Sequence, residues 1–106
     1  MAAPEVVPWP EEFVRRYVGA GYWAGRPLGE LLGEAAARTP DAPALVDGDV
    51  RLTHAGLLAR ADATAARLAG LGLAPGDRIV VQLANTAAFV VLAVACLRSG
   101  IVPVMA

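Results

Sequence analysis

Arg78-Ile79-Val80-Val81-Gln82-Leu83-Ala84, the polar break Asn85-Thr86, the apolar run Ala87 to Leu97, Ser99-Gly100, and Ile101-Val102-Pro103-Val104-Met105 decide how this chain is read. A β-branched run, a helix-length apolar segment, a Gly stop and a second β-branched run predict a strand over 78–84, a helix over 86–98 and a strand over 101–105. A dozen or so residues between two strands suits a parallel crossover. Neither strand alternates polar and apolar residues, which is the pattern of parallel strands covered on both faces. The unit is therefore expected at the centre of an α/β sheet, partly parallel, in one small domain or the first layer of a larger one.

Composition supports incompleteness. Hydrophobic residues make up 57% of 106 and charged residues 18%, a more apolar balance than a self-contained domain of this size requires. Such an excess is expected where apolar faces await partners from elsewhere. Ten acidic against nine basic residues, spread along the chain, leave no basic stripe for a nucleic-acid backbone. Every basic residue is Arg, so no Lys is present to act as nucleophile or phosphate-binding ammonium. The lone Cys96 forms no intramolecular disulfide and fits a reducing, cytoplasmic compartment. Met1 to Pro8 lacks the basic and apolar regions of a signal peptide. Ile79 to Leu97 is uncharged and long enough for a membrane span, but Gln82, Asn85 and Thr86 interrupt it and its first half is β-branched, so a strand and a helix are preferred.

Upstream, Pro4 to Pro10 is expected to be extended and to lead into a short helix ending near Val18, with Phe13, Val14 and Tyr17 inward and Arg15 and Arg16 outward. Pro27 introduces a helix over 28–38 with Leu28, Leu31, Leu32 and Ala35 on one face, weakened by Gly29 and Gly33. Pro43 to Val46 and Asp49 to Leu52 flank Asp47-Gly48, the signature of a tight hairpin. Thr53 is placed to cap a helix that carries Leu57, Leu58, Ala61, Ala65 and Leu68 on one side and ends near Gly70 to Gly72. Leu73 to Asp77 holds a Pro-Gly turn into the central strand.

Candidates for chemistry are few, and each has a structural reading that outweighs the functional one. Asn85 and Thr86 follow the carboxyl end of a parallel strand, where open α/β sheets bind ligands, but either side chain also suits the cap of the next helix. His54 has no metal-ligand partner at useful spacing and reads as an exposed first-turn residue. Cys96 sits among aliphatic neighbours and reads as a buried, unreactive thiol. Ser99, the only serine, reads as part of a helix terminus ahead of Gly100. Gly19-x-Gly21-x-x-x-Gly25 and Gly70-x-Gly72-x-x-x-Gly76 lack phosphate-loop spacing and read as turns. Trp9, Phe13, Tyr17, Tyr22 and Trp23 hold five of six aromatics and read as a satellite cluster or a docking surface. No catalytic, cofactor-binding or metal-ligating residue is assigned.

The arm Trp9-Pro10-Glu11-Glu12-Phe13, Arg15-Arg16-Tyr17, Gly21-Tyr22-Trp23 and Pro27-Leu28 resembles the start of aryl-acid adenylating enzymes, the 2,3-dihydroxybenzoate or salicylate AMP ligases. Pro43-Ala-Leu-Val-Asp-Gly48, Leu52-Thr53-His54, Leu73-Ala-Pro-Gly-Asp77-Arg-Ile-Val80, Gln82-Leu-Ala-Asn85 and Ser99-Gly-Ile-Val-Pro-Val104 are similar to the wider adenylate-forming superfamily. The resemblance implies an N-terminal arm over 1–26 and the first, incomplete part of a large N-terminal domain over 27–106. It implies a parent enzyme that joins an aryl carboxylate to ATP with Mg²⁺ and passes the acyl group to a carrier-protein thiol in siderophore or related peptide biosynthesis. The remainder of the parent chain and an aryl-carrier protein are the implied partners. The family's phosphate loop, aryl pocket and catalytic Lys find no counterpart in these 106 residues, and Gly56 stands where a Glu often completes a capping box. The alternative is a non-catalytic truncated relative acting as a binding or scaffold module. A more general acyl-CoA ligase is a third reading, against which the aromatic arm argues.

Overall fold

A computed structural model describes residues 6–106. The expected extended start from Pro4 and the leader reading of Met1 to Pro8 lie partly outside them. The elements in chain order are α1 (Glu11–Gly19), α2 (Leu28–Arg38), β1 (Pro43–Asp47), β2 (Val50–Thr53), α3 (His54–Gly70), β3 (Arg78–Val81), α4 (Ala87–Ser99) and β4 (Val102–Met105). β1 and β2 form an antiparallel hairpin, and β3 and β4 form a parallel pair joined by α4. The α/β pattern and the parallel crossover are thus present, as two separate two-stranded sheets.

The hydrophobic centre does not coincide with the β3–α4–β4 unit alone. Leu52 of β2, Leu57 and Ala61 of α3, and Val94 and Ala95 of α4 form the buried cluster, with Leu32, Leu45 and Ala65 packed against it. Ala61 and Ala95 are wholly buried, because small side chains let the α3 and α4 backbones come together. The expected α3 face is the observed one: Leu57 and Ala61 are buried, and Leu58, Ala65 and Leu68 half-buried. Thr53 caps α3 as its sequence position requires, its Oγ1 accepting from the Gly56 amide at 3.0 Å.

The α2 face departs from expectation. Leu28 and Leu31 are exposed, at 61% and 48%, whereas Gly29 is buried. A Cβ on Gly29 would lie 3.2 Å from the Leu97 carbonyl oxygen, and one on Gly33 would lie 3.6 Å from the Arg98 guanidinium. The two glycines, a turn apart, are the surface that approaches α4. Their cost in helix propensity is offset by this close approach, and Leu28 and Leu31 are rotated outward as a consequence, while Leu32 and Ala35 of the expected face are half-buried. Arg98 closes the seam, its Nε 2.6 Å and its Nη2 3.2 Å from the two Asp62 carboxylate oxygens of α3. Its Nη1 also lies 3.5 Å from the Gly29 carbonyl. One guanidinium therefore holds three helices.

The hairpin turn sits one residue later than expected. Asp47 pairs with Val50, leaving Gly48-Asp49 as the loop. Gly48 alone has positive φ, at +56°, because a primed two-residue turn with glycine in its first position needs left-handed geometry only there.

β3 ends at Val81 rather than at Ala84. Its partner β4 pairs Met105 with Val81, and the Ala106 amide donates to the Val81 carbonyl at 3.0 Å. The Val102 and Ala106 amides both donate toward β3, so by the twofold strand period Pro103 turns its nitrogen to the open edge and forfeits no bond within the pair. Cover is likewise one-sided among the described residues: Val81 and Ile101 are buried, but Val80 is 73% exposed and Val102, Val104 and Met105 are exposed as well. The near-continuous apolar pattern outruns what α4 covers.

Candidate functional site

The carboxyl edge of β3 leads through Gln82 to Thr86 into the first turn of α4, the place where the sequence favours a helix cap over a ligand-binding edge. Thr86 occupies the N-cap position of α4, but its side chain makes no capping bond; its Oγ1 lies 3.4 Å from the Ala84 carbonyl instead. Asp47 takes over that task. Its Oδ2 accepts from the Ala87 amide at 2.8 Å, across 40 residues of sequence. An acceptor carboxylate at a helix N-terminus satisfies an otherwise unpaired amide and opposes the positive end of the helix dipole. The hairpin register makes this possible, because ending β1 at Asp47 directs its half-buried carboxylate to α4. Thr86 holds the N-cap position, but its side chain makes no capping bond, which corrects the reading that Asn85 or Thr86 caps α4 through its side chain.

Beside Asp47 runs an open groove of about 650 Å³ between α3 and α4. Arg60, Thr64 and Arg67 line it from α3, and Ala88, Val91 and Leu92 from α4. The arrangement offers cations and apolar surface, with no paired nucleophile and base.

The remaining candidates are scattered. His54 is half-buried rather than exposed, because its amide donates to the Ala42 carbonyl at 3.0 Å and draws the first turn of α3 against the chain entering β1. Cys96 is wholly buried, and burial pushes its thiol up from the ordinary cysteine range. Both facts fit an inert thiol. Ser99 donates to the Ala95 carbonyl at 2.7 Å, and Gly100 follows in the left-handed region as the α4 C-cap. The two glycine clusters begin at the last residues of α1 and α3, Gly19 and Gly70, and continue into the connections that follow. The second precedes β3, where Asp77 Oδ2 accepts from the Ala74 amide at 2.8 Å and the Gly76 amide donates to Gly100.

The aromatics do assemble. Tyr17 is the hub, its ring centroid 5.0 Å from Trp23, 6.2 Å from Trp9, 6.3 Å from Tyr22 and 6.4 Å from Phe13. Trp9 meets Trp23 edge-on at 5.7 Å, and the Arg16 guanidinium lies 5.6 Å from the Phe13 ring centre. Phe13, Val14 and Tyr17 are half-buried and Arg15 and Arg16 exposed, as the helical spacing predicts.

Among the described residues no three His, Cys, Asp or Glu side chains gather in a metal-holding group, and there is no Lys. Neither glycine cluster opens a helix after a strand. Among the described residues no helix is long and apolar enough to cross a membrane, so the span considered for Ile79 to Leu97 is replaced by β3 and α4.

Three comparisons place this scaffold. A salicylyl-CoA synthase / salicylate adenylyltransferase of a Streptomyces species is 57% identical over 100 residues, covering 94% of this chain and 18% of that protein. The 2-hydroxy-7-methoxy-5-methyl-1-naphthoate–CoA ligase of Streptomyces carzinostaticus is 52% identical over 100 residues, with the same coverage of both. The structure of apo MbtA from Mycobacterium smegmatis superposes with a TM-score of 0.87 at 47% identity, over 92% of this chain and 18% of that one. The chain thus spans under a fifth of the length of each of these three proteins, and its fold is that of the N-terminal portion of adenylation domains. The family model described as AMP-binding enzyme matches residues 32–106, which take in the α3–α4 core, the hairpin and the parallel pair, and on that match the chain belongs to the AMP-binding enzyme family.

Proposed function

We propose that these residues are scaffold for a larger enzyme that activates an aryl carboxylic acid carrying a hydroxyl ortho to its carboxylate. Salicylate and 2,3-dihydroxybenzoate belong to that class. The carboxylate attacks the α-phosphorus of ATP and expels pyrophosphate, which converts a poor electrophile into an acyl adenylate with AMP as leaving group. A phosphopantetheine thiol then displaces AMP, giving the thioester and releasing a proton. That thiol is borne by coenzyme A or by an aryl-carrier protein of siderophore or related peptide synthesis. Adenylating enzymes generally use ATP with Mg²⁺, and we assign those contacts, with the aryl pocket and the catalytic groups, to residues outside this chain. Residues 1–26 act as an arm ahead of the large domain that starts at 27, and the reaction takes place in the cytoplasm.

One observation carries the reading. The family model begins at residue 32, yet the two relatives align over 100 of 106 residues, so their likeness takes in most of the aromatic arm. Both are named for acids with an ortho hydroxyl. The test is ATP–pyrophosphate exchange by the full-length protein with salicylate, 2,3-dihydroxybenzoate, 2-hydroxy-1-naphthoate and plain benzoate. Exchange is expected with the hydroxylated acids, and benzoate is disfavoured on the order of 10⁴-fold in kcat/KM if a buried group hydrogen-bonds the hydroxyl. Absence of exchange with all four acids overturns the proposal. Parallel thioester assays with coenzyme A and with phosphopantetheinylated carrier protein identify the acceptor.

A further inference from the structure

We draw no further inference here: the strongest candidate, the groove between α3 and α4 lined by Arg60, Arg67, Val91 and Leu92, carries nothing because nothing in the structure shows what covers it.

Discussion

The arm from Trp9 to Trp23 and the helical core of α2, α3 and α4 are held together by different physics. In the core, aliphatic and small side chains are removed from water, and polar links at Arg98–Asp62 and Asp47–Ala87 fix α4 to α3 and to the hairpin, elements distant in sequence. In the arm no residue of α1 is buried, Trp9 and Tyr22 remain 61% and 76% exposed, and five rings hold one another chiefly by edge and tilted contacts. Ring pairs contribute roughly 0.5–1.5 kcal/mol each beyond their buried area, whereas a buried leucine contributes about 1.5–3 kcal/mol through burial alone. The arm should therefore open locally at a lower free energy than the core. Both tryptophans of the chain lie in the arm, so tryptophan emission reports the arm while far-UV circular dichroism is weighted to the core helices.

Denaturation of the 106-residue chain followed by both signals is the direct way to break this contrast, because coincident transitions would make arm and core one cooperative unit. The largest expected effect is from Leu57→Ala. It removes a side chain that is 8% exposed at the α3–α4 contact and should cost about 3 kcal/mol through lost burial and the cavity left behind. The circular-dichroism midpoint should fall with the tryptophan midpoint nearly unmoved.

Cys96 gives a sharper test of core burial through pH. Its folded-state pKa is raised by desolvation, so the unfolded thiol ionises first as pH climbs, and the folded state loses stability above the ordinary cysteine range. Between pH 8 and pH 10 the chain should lose more stability than its Cys96→Ala variant, because only the chain that keeps the thiol is coupled to that ionisation. Equal slopes in the two proteins would mean that water reaches the thiol.

Asp47→Ala comes next, at about 1 kcal/mol for a lost helix cap. Its circular-dichroism midpoint should fall while Thr86→Ala has little effect. The reverse ranking would return the cap to Thr86. The smallest effect on the core is expected from Tyr17→Ala, which removes the hub of the arm. Tryptophan emission should shift to longer wavelength at once, with the core midpoint changing by less than about 0.5 kcal/mol. A larger change would show that the arm braces the core.

Local chemistry was legible wherever a signal lies within a few residues. Thr53 three positions before Gly56 announced its cap, the spacing of Leu57, Leu58, Ala61 and Ala65 announced the buried face of α3, and Ser99-Gly100 announced the end of α4. The aromatic arm was legible both as a cluster and as the part of the chain that resembles aryl-acid enzymes. What failed depended on partners remote in sequence. Gly29 and Gly33 looked like flaws in a leucine-faced helix until α4 was seen to lie against them. Asn85 and Thr86 looked like caps until Asp47 arrived from the hairpin.

The sequence by itself determined the order of elements, the parallel crossover and the inert surroundings of Cys96, because periodicity, caps and turn residues act over one or two turns of chain, and its motifs carried the resemblance to the family. Only the tertiary structure decided which face of α2 is buried, which carboxylate caps α4 and which side of the β3–β4 pair is covered. Those outcomes depend on how closely two backbones approach and where a side chain forty residues away reaches, and neither distance is written in the local pattern of the chain.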